Sequence, residues 1–287
     1  MDYSIIRYLS EAETENRCLS EIKLSKEEAE KRKELLELMN KWRDSLADKE
    51  FIKSFNTDGF FPNYYGQKHK VLFVGREARW ITSGGPNIIH GDYIGTSIGW
   101  LKNDNQKNTS FWGRILRMVQ LFRSDGKKEY EQLSANDCAE EMAKNNDYGF
   151  AIINISKYSN DDDDGGTADY PRINKFLKDS QFDLYEENNY FKKELEILDP
   201  DYIITFDLWN GKIKPEYLKL CLNKGEEVDK YPQDSPDGRL YEININGRKV
   251  KLVDIYHPAT PPFVKDDKGC FYMPLKELFF PDGNIKD

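Results

Sequence analysis

The segment from Lys70 to Arg79 constrains the fold of this chain more than any other: Val71-Leu72-Phe73-Val74 is a continuous apolar run that breaks at Gly75 into Arg76-Glu77-Ala78-Arg79. Strands buried on both faces read this way, and burial on both faces is the condition of a parallel sheet covered by helices on either side. A second such run, Lys251 to Tyr256, empties into His257-Pro258-Ala259-Thr260. Ligands of open α/β sheets sit just beyond the carboxyl ends of the strands. Glu77 and His257 are therefore expected to form two walls of one site.

Further elements follow from the same patterns. Gly149-Phe150-Ala151-Ile152-Ile153-Asn154-Ile155 reads as a second buried strand with a polar residue near its end. Asp201-Tyr202-Ile203-Ile204-Thr205-Phe206 reads as a third, after a helix over Tyr190 to Leu198 that stops before Pro200. Tyr241 to Ile245 and Arg248 to Ile255 flank Asn246-Gly247, a pair that accepts the positive φ angles of a hairpin turn. Ser110 caps a helix whose Phe111, Ile115, Met118, Val119 and Phe122 recur at helical spacing and make a core face. Upstream, Ser25-Lys26-Glu27-Glu28 fits a capping box, and the charged, Leu-rich run to Ala47 reads as one long amphipathic helix. The aromatic loop from Asp58 to Tyr65 is expected to pack against the core. Alternating strands and helices predict a three-layer α/β/α sandwich with a central, mostly parallel four-stranded sheet and a C-terminal β-hairpin. Residues 1–66 are expected to form an N-terminal helical extension packed on a main domain of residues 67–287.

Several function classes lack their physical requirements. There is no GxGxxG after the first strand, no GxxxxGK[ST] and no GxSxG elbow, which sets aside the dinucleotide, phosphate-loop and α/β-hydrolase readings. Cys18, Cys138, Cys221 and Cys270 form no CxxC pair and are read as free thiols. The run Asp161 to Asp164 before Gly165-Gly166 lacks the closing Glu of a calcium loop, so no metal is expected. No stretch approaches the roughly 20 apolar residues of a membrane span, and Met1 to Ser10 lacks signal-peptide order. A cytoplasmic protein without a membrane partner is the expectation. The formal charge of -9 argues against coating duplex nucleic acid through bulk electrostatics. Lys68, His69, Lys70, Arg76 and Arg79 cluster in sequence around the first strand, and for a DNA substrate Lys68, Lys70, Arg76 and Arg79 with Lys265 are expected to border the site. Arg114, Arg117 and Arg123 decorate the later helix. The irregular stretch from Trp80 to Lys107, with turns at Gly84-Gly85-Pro86 and His90-Gly91-Asp92-Tyr93, is long enough to expect a functional loop covering the site.

Three motifs in order resemble the uracil-DNA glycosylase superfamily, whose members carry a strand ending in a Gly-rich acidic motif, a strand ending in Asn, and a late strand ending in His-Pro-Ser. The positions here read Gly75-Arg76-Glu77-Ala78-Arg79-Trp80, Ile152-Ile153-Asn154-Ile155-Ser156-Lys157 and Tyr256-His257-Pro258-Ala259-Thr260. Leu198-Asp199-Pro200-Asp201-Tyr202-Ile203-Ile204 is similar to the family's helix-to-strand passage, and Gly85-Pro86-Asn87 before His90-Gly91 resembles its loop after the first motif. The likeness covers roughly Lys70 to Phe280. There are departures. Glu77 stands where the type enzymes have Asp, Ala78 and Arg79 replace a Pro and a residue screening the pyrimidine C5, and Thr260-Pro261 stands where DNA-acting members have an intercalating apolar residue. Phe263 is the nearest candidate wedge.

The resemblance implies a chemistry. Cleaving an N-glycosidic bond develops positive charge on the sugar and negative charge on the departing base, so the site must stabilise both. It implies that Glu77 holds the attacking water, that His257 donates to the base oxyanion, and that Asn154 pairs with a pyrimidine edge. Gly75, Arg76, Arg79, Lys157 and Pro258 lie within the three motifs and are carried as substrate-binding positions. Tyr93 joins them as a stacking ring. Trp80, Phe111 and Trp112 either stack on a base or belong to the core. No cofactor is implied. The expected substrate is a deaminated or modified base in single-stranded or locally opened DNA. The alternatives are a non-catalytic binder of a nucleobase, nucleotide or nucleic acid, and a hydrolase of free nucleosides or nucleotides, which suits the acidic surface better.

Overall fold

A computed structural model describes residues 24–79, 110–145, 147–160, 168–180, 189–222, 239–260 and 267–281. Among these residues six strands, β1 (Gly59–Phe60), β2 (Val71–Arg79), β3 (Phe150–Asn160), β4 (Tyr202–Phe206), β5 (Arg239–Ile245) and β6 (Arg248–Ile255), form one sheet in the order β1-β3-β2-β4-β6-β5. The inner four, β3, β2, β4 and β6, are parallel, and β1 and β5 are antiparallel edges. The sheet is thus six-stranded rather than four-stranded. One addition is the outer arm of the expected hairpin, whose Asn246 and Gly247 have φ of 52° and 75°. The other is β1, which pairs with Ile152 and Ala151 from within the aromatic loop. Two residues are too few to show a strand's period of two.

Among the described residues eight α-helices accompany the sheet: α1 (Lys26–Ser45), α2 (Lys49–Lys53), α3 (Ser110–Arg123), α4 (Ala135–Asn145), α5 (Tyr170–Asp179), α6 (Tyr190–Leu198), α7 (Pro215–Leu222) and α8 (Met273–Phe279). Alternate residues of each parallel strand face opposite layers. Val71, Phe73, Phe150, Ile152, Ile204, Val253 and Ile255 pack with Ile115, Val119 and Phe122 of α3, Met142 of α4 and Leu275 of α8. Leu72, Val74, Ala151, Ile153, Ile203 and Leu252 pack with α1, α5, α6 and α7 through Trp42, Phe176, Leu195 and Leu218.

The capping box of α1 is complete: Ser25 Oγ accepts from Glu28 N at 3.2 Å and Glu28 Oε2 accepts from Ser25 N at 2.9 Å. Its Leu35, Met39 and Trp42, four and three residues apart, reach the same core as the sheet, and Trp42 Nε1 donates to Ser180 Oγ at the end of α5 at 3.0 Å. The helix α3 presents the apolar face read from its spacing.

The chain passes from β2 outward to β3, with α3 and α4 on one face. It then turns back past β2 to β4 and on to β6, with α5, α6 and α7 on the other face. Moves in opposite directions are covered on opposite faces, as crossovers of a single hand require. The reversal falls between β2 and β4, so the crevice at their carboxyl ends is the topological switch point, where such sheets bind ligands.

Candidate functional site at the carboxyl edge

The parallel register brings three of the predicted residues to one edge. Gly75 pairs with Asn154 and Glu77 with Ser156 across β2 and β3, and β6 ends level with β4, Ile255 against Phe206, just before His257. Neighbouring strands lie about 4.8 Å apart, so β6, two strands from β2, is about 10 Å away laterally, the scale of a nucleoside.

Each of the three is held in a different way. A Cβ on Gly75 would lie 2.4 Å from Asn154 Oδ1, so the glycine is what lets the Asn154 amide lie across β2. The Asn154 backbone is pinned at both ends: its N–H donates to Asp58 Oδ2 at 2.7 Å and its carbonyl accepts from Lys157 Nζ at 2.8 Å. Glu77 Oε1 accepts from Asn160 Nδ2 and from Asp169 N, both at 3.1 Å. A bulge follows, because Ala78 pairs with Ser159, leaving Lys157 and Tyr158 as extra residues on β3. Bulges re-aim side chains, and this one carries Asn160 to Glu77.

His257 begins a tight turn. Its Nδ1 accepts from Ala259 N at 3.1 Å and its carbonyl from Thr260 N at 2.8 Å. An Nδ1 that accepts leaves the ring proton on Nε2, an assignment made from the hydrogen bond. The turn is clamped by Arg114, 2% exposed, whose Nη1 donates to the carbonyls of Pro258 at 2.6 Å and Thr260 at 2.5 Å while Nε donates to Asp267 Oδ1 at 2.7 Å. The His257 ring sits against Phe111 and Phe206, with centroids 6.0 and 5.9 Å away.

Other predicted residues go elsewhere. Lys157 is turned into the interior instead of toward the edge: its Nζ lies 2.5 Å from Asp58 Oδ1 and 2.8 Å from Glu194 Oε2, and 5.3 Å from the Trp42 ring centroid. Burial pushes the Glu194 carboxyl well above its usual range, with the Lys157 ammonium opposing it. Arg76 stays at the edge and donates from Nη1 to the Tyr170 hydroxyl. Arg79 pairs through its backbone with Asn160. Its side chain, Tyr93, the whole expected covering loop, Lys265, Phe263 and the acidic run from Asp161 lie outside the described residues.

The expected basic border is corrected in part. Lys68, His69 and Lys70 precede β2 and so stand at the amino edge, separated from Glu77 by most of a nine-residue strand. Lys68 and His69 both bond Asp125 Oδ1 at 2.8 Å, and Lys70 pairs with Asp199 at 2.7 Å. A cavity of about 80 Å³ near them is lined by Gln67, His69, Phe122 and Arg123, far from the candidate site. Nearness in sequence had suggested a single patch, but a strand carries its two ends to opposite edges.

Sequence reasoning missed Asp58, Arg114, Tyr170, Asn210 and Asp254. Asp254 had a signal, a carboxylate inside an otherwise apolar strand. Burial raises its carboxyl above the usual range, and it accepts from Thr205 Oγ1 at 2.7 Å, Leu208 N at 3.0 Å and Trp209 N at 3.3 Å, shaping the turn after β4. Among the described residues no cluster of His, Cys, Asp and Glu is arranged to hold a metal, and no helix is long and apolar enough to cross a membrane. No protein-family model, no curated protein and no solved structure matches the chain.

Proposed function

We propose that this chain is a uracil-DNA glycosylase-like hydrolase that cleaves the N-glycosidic bond of a deaminated or modified base. The observation that carries the proposal is the convergence of Glu77, Asn154 and His257, from three parallel strands, on the carboxyl edge beside the switch point. In this reading the Glu77 carboxylate, held by Asn160 and the Asp169 N–H, orients a water and takes its proton as the oxygen attacks the sugar carbon. The bond to the base breaks with its electron pair leaving on the base, and His257 donates from Nε2 to the oxyanion that forms. Asn154 reads the base edge, its backbone fixed by Asp58 and Lys157. No cofactor enters this chemistry. The net charge of -9 favours a second reading, a hydrolase of free nucleosides or nucleotides using the same three residues.

The test is base release from single-stranded and duplex oligonucleotides carrying a panel of deaminated bases, beside free nucleosides and nucleotides. Glu77→Gln and His257→Ala should each lower turnover by about 10²-fold, the scale of losing one electrostatic stabiliser, with binding better preserved. Release from none of the substrates removes the hydrolase and leaves a binding protein, and equal release by wild type and both variants removes the roles given to Glu77 and His257.

A further inference from the structure

The carboxyl edge holds a second polar group that the glycosidic chemistry does not use. The turn leaving β4, bracketed by Asp207 and Gly211 with φ of 55° and 82°, delivers Asn210 and Lys212 to Tyr170, the first residue of α5. The Tyr170 oxygen accepts from Asn210 Nδ2 at 2.9 Å and from Arg76 Nη1. With two donors on its oxygen, the hydroxyl can give its own proton only in the remaining direction, away from both. Its ring meets two cations: the Arg76 guanidinium is 5.6 Å and Lys212 Nζ 5.0 Å from the centroid. Among the described residues neither cation has a carboxylate partner in ion-pair contact. Acidic neighbours of the cluster are Asp207, whose Oδ2 accepts from Asn210 Nδ2 at 3.0 Å, Glu77, next to Arg76 in the chain and held by Asn160 and the Asp169 N–H, and Asp169, which caps α5 just before Tyr170. Both cations stand against the same phenol ring, so an anion beside that ring meets favourable charge from each.

We propose that Tyr170, Arg76 and Lys212 form a phosphate-binding subsite at the crevice between β2 and β4. Tyr170 supplies a neutral O–H donor held in one direction, Arg76 and Lys212 supply charge, and Asn210 positions the phenol. The subsite adjoins the sugar side of the candidate pocket, because Glu77 follows Arg76 in the chain and accepts from the N–H of Asp169, the residue before Tyr170. That the phosphate belongs to a nucleotide unit rests on the glycosidic reading, whereas phosphate binding itself does not. The phosphate is either a backbone phosphodiester or the terminal group of a free nucleotide.

Calorimetric titration of the full chain with probes that carry no base separates these cases. The probes are inorganic phosphate, deoxyribose 5-phosphate and a single-stranded abasic pentanucleotide. Tyr170→Phe keeps the ring and removes only the hydroxyl, and Lys212→Gln removes only charge. Each should weaken binding of deoxyribose 5-phosphate about tenfold, as loss of one charge-assisted contact does. Lys214→Gln, at a lysine that lies over Tyr217 instead, should leave it unchanged. Thermal midpoints confirm that each variant is folded. No binding of any probe to the wild type, or equal binding to Tyr170→Phe and Lys212→Gln, overturns the subsite. Tighter binding of the pentanucleotide than of deoxyribose 5-phosphate supports it with a backbone phosphate, and the reverse order supports it with a terminal one. Base release without phosphate binding removes the subsite alone, and phosphate binding without base release removes the glycosidase alone.

Discussion

Lys157→Met should be among the most damaging single substitutions in the chain, although Lys157 looks like a surface residue in sequence. The side chain is fully enclosed, as is that of Glu194, and Asp58 is 5% exposed. All three ammonium protons are used, by Asp58 Oδ1 at 2.5 Å, the Asn154 carbonyl at 2.8 Å and Glu194 Oε1 at 3.0 Å. Three charge-assisted bonds at about 1.5–3 kcal/mol each would sum to about 4.5–9 kcal/mol, but deleting the ammonium also removes its own desolvation cost of several kcal/mol. The balance expected is about 3–5 kcal/mol, the usual result of breaking a buried pair from one side, against a total stability of about 5–15 kcal/mol. The sign of the pH dependence follows from the carboxyl groups left behind. Burial already pushes the Glu194 carboxyl up against the opposing Lys157 ammonium, so without the cation Glu194 in the folded state holds a proton that the unfolded chain releases near its ordinary carboxylate range, and stability is retained at low pH and lost as pH rises. Urea denaturation of wild type and variant at pH 5 and pH 8 measures both effects, and adding Asp58→Asn to the variant should restore part of the loss. A cost below about 1 kcal/mol that is equal at the two pH values would refute the argument, because a buried carboxylate stripped of its partner cannot be that cheap.

Three further outcomes are expected. Gly75→Ala places its methyl against the end of the flexible Asn154 side chain, so stability should fall by only about 1–3 kcal/mol, as for overpacking, while the displaced amide costs base recognition in binding titrations. Arg114→Lys keeps the charge but cannot hold Pro258, Thr260 and Asp267 together, and chemical denaturation should show a loss of about 2–3 kcal/mol together with a broadened His257 resonance in NMR spectra. Hydrogen bonds from Lys68 and His69 hold the Asp125 carboxyl at about 2, so its contribution is present above the ordinary value of 3.8 and is lost as pH falls through about 2. Acid titration of Asp125→Asn should therefore lack the part of the wild-type stability loss that falls between those values.

The fold was legible where burial writes a pattern into contiguous residues. Val71 to Val74 and Tyr202 to Phe206 read as strands covered on both faces, and Asn246-Gly247 as a hairpin turn, and each forms that element. The edge strand at Gly59 and Phe60 carried no such pattern, since its identity comes from the neighbour it pairs with. For the site, the reading found the ends of strands but not what surrounds them. Lys157 and Asn154 lie three residues apart, a spacing that puts them on opposite faces of a strand, and Lys157, on the face of Ile153 and Ile155, meets partners 99 and 37 residues away in the chain. Arg76 and Tyr170 are 94 residues apart and meet only because the chain returns past β2 on the face opposite to α3.

That division bears on how the two parts of the edge would respond to change. Glu77, Asn154 and His257 each sit on or beside a strand of the parallel core, where the register fixes position to within a fraction of a residue. Tyr170, Asn210 and Lys212 sit on a helix start and a turn, and their mutual geometry depends on Asp254 holding the turn after β4 through Thr205, Leu208 and Trp209. A substitution at Asp254 therefore reaches the subsite through the backbone while leaving the strand register of Glu77 and Asn154 in place. If the two parts serve one ligand, loosening the turn should weaken its binding more than it slows any reaction at the sugar, because the turn positions the phosphate and the strands position the chemistry.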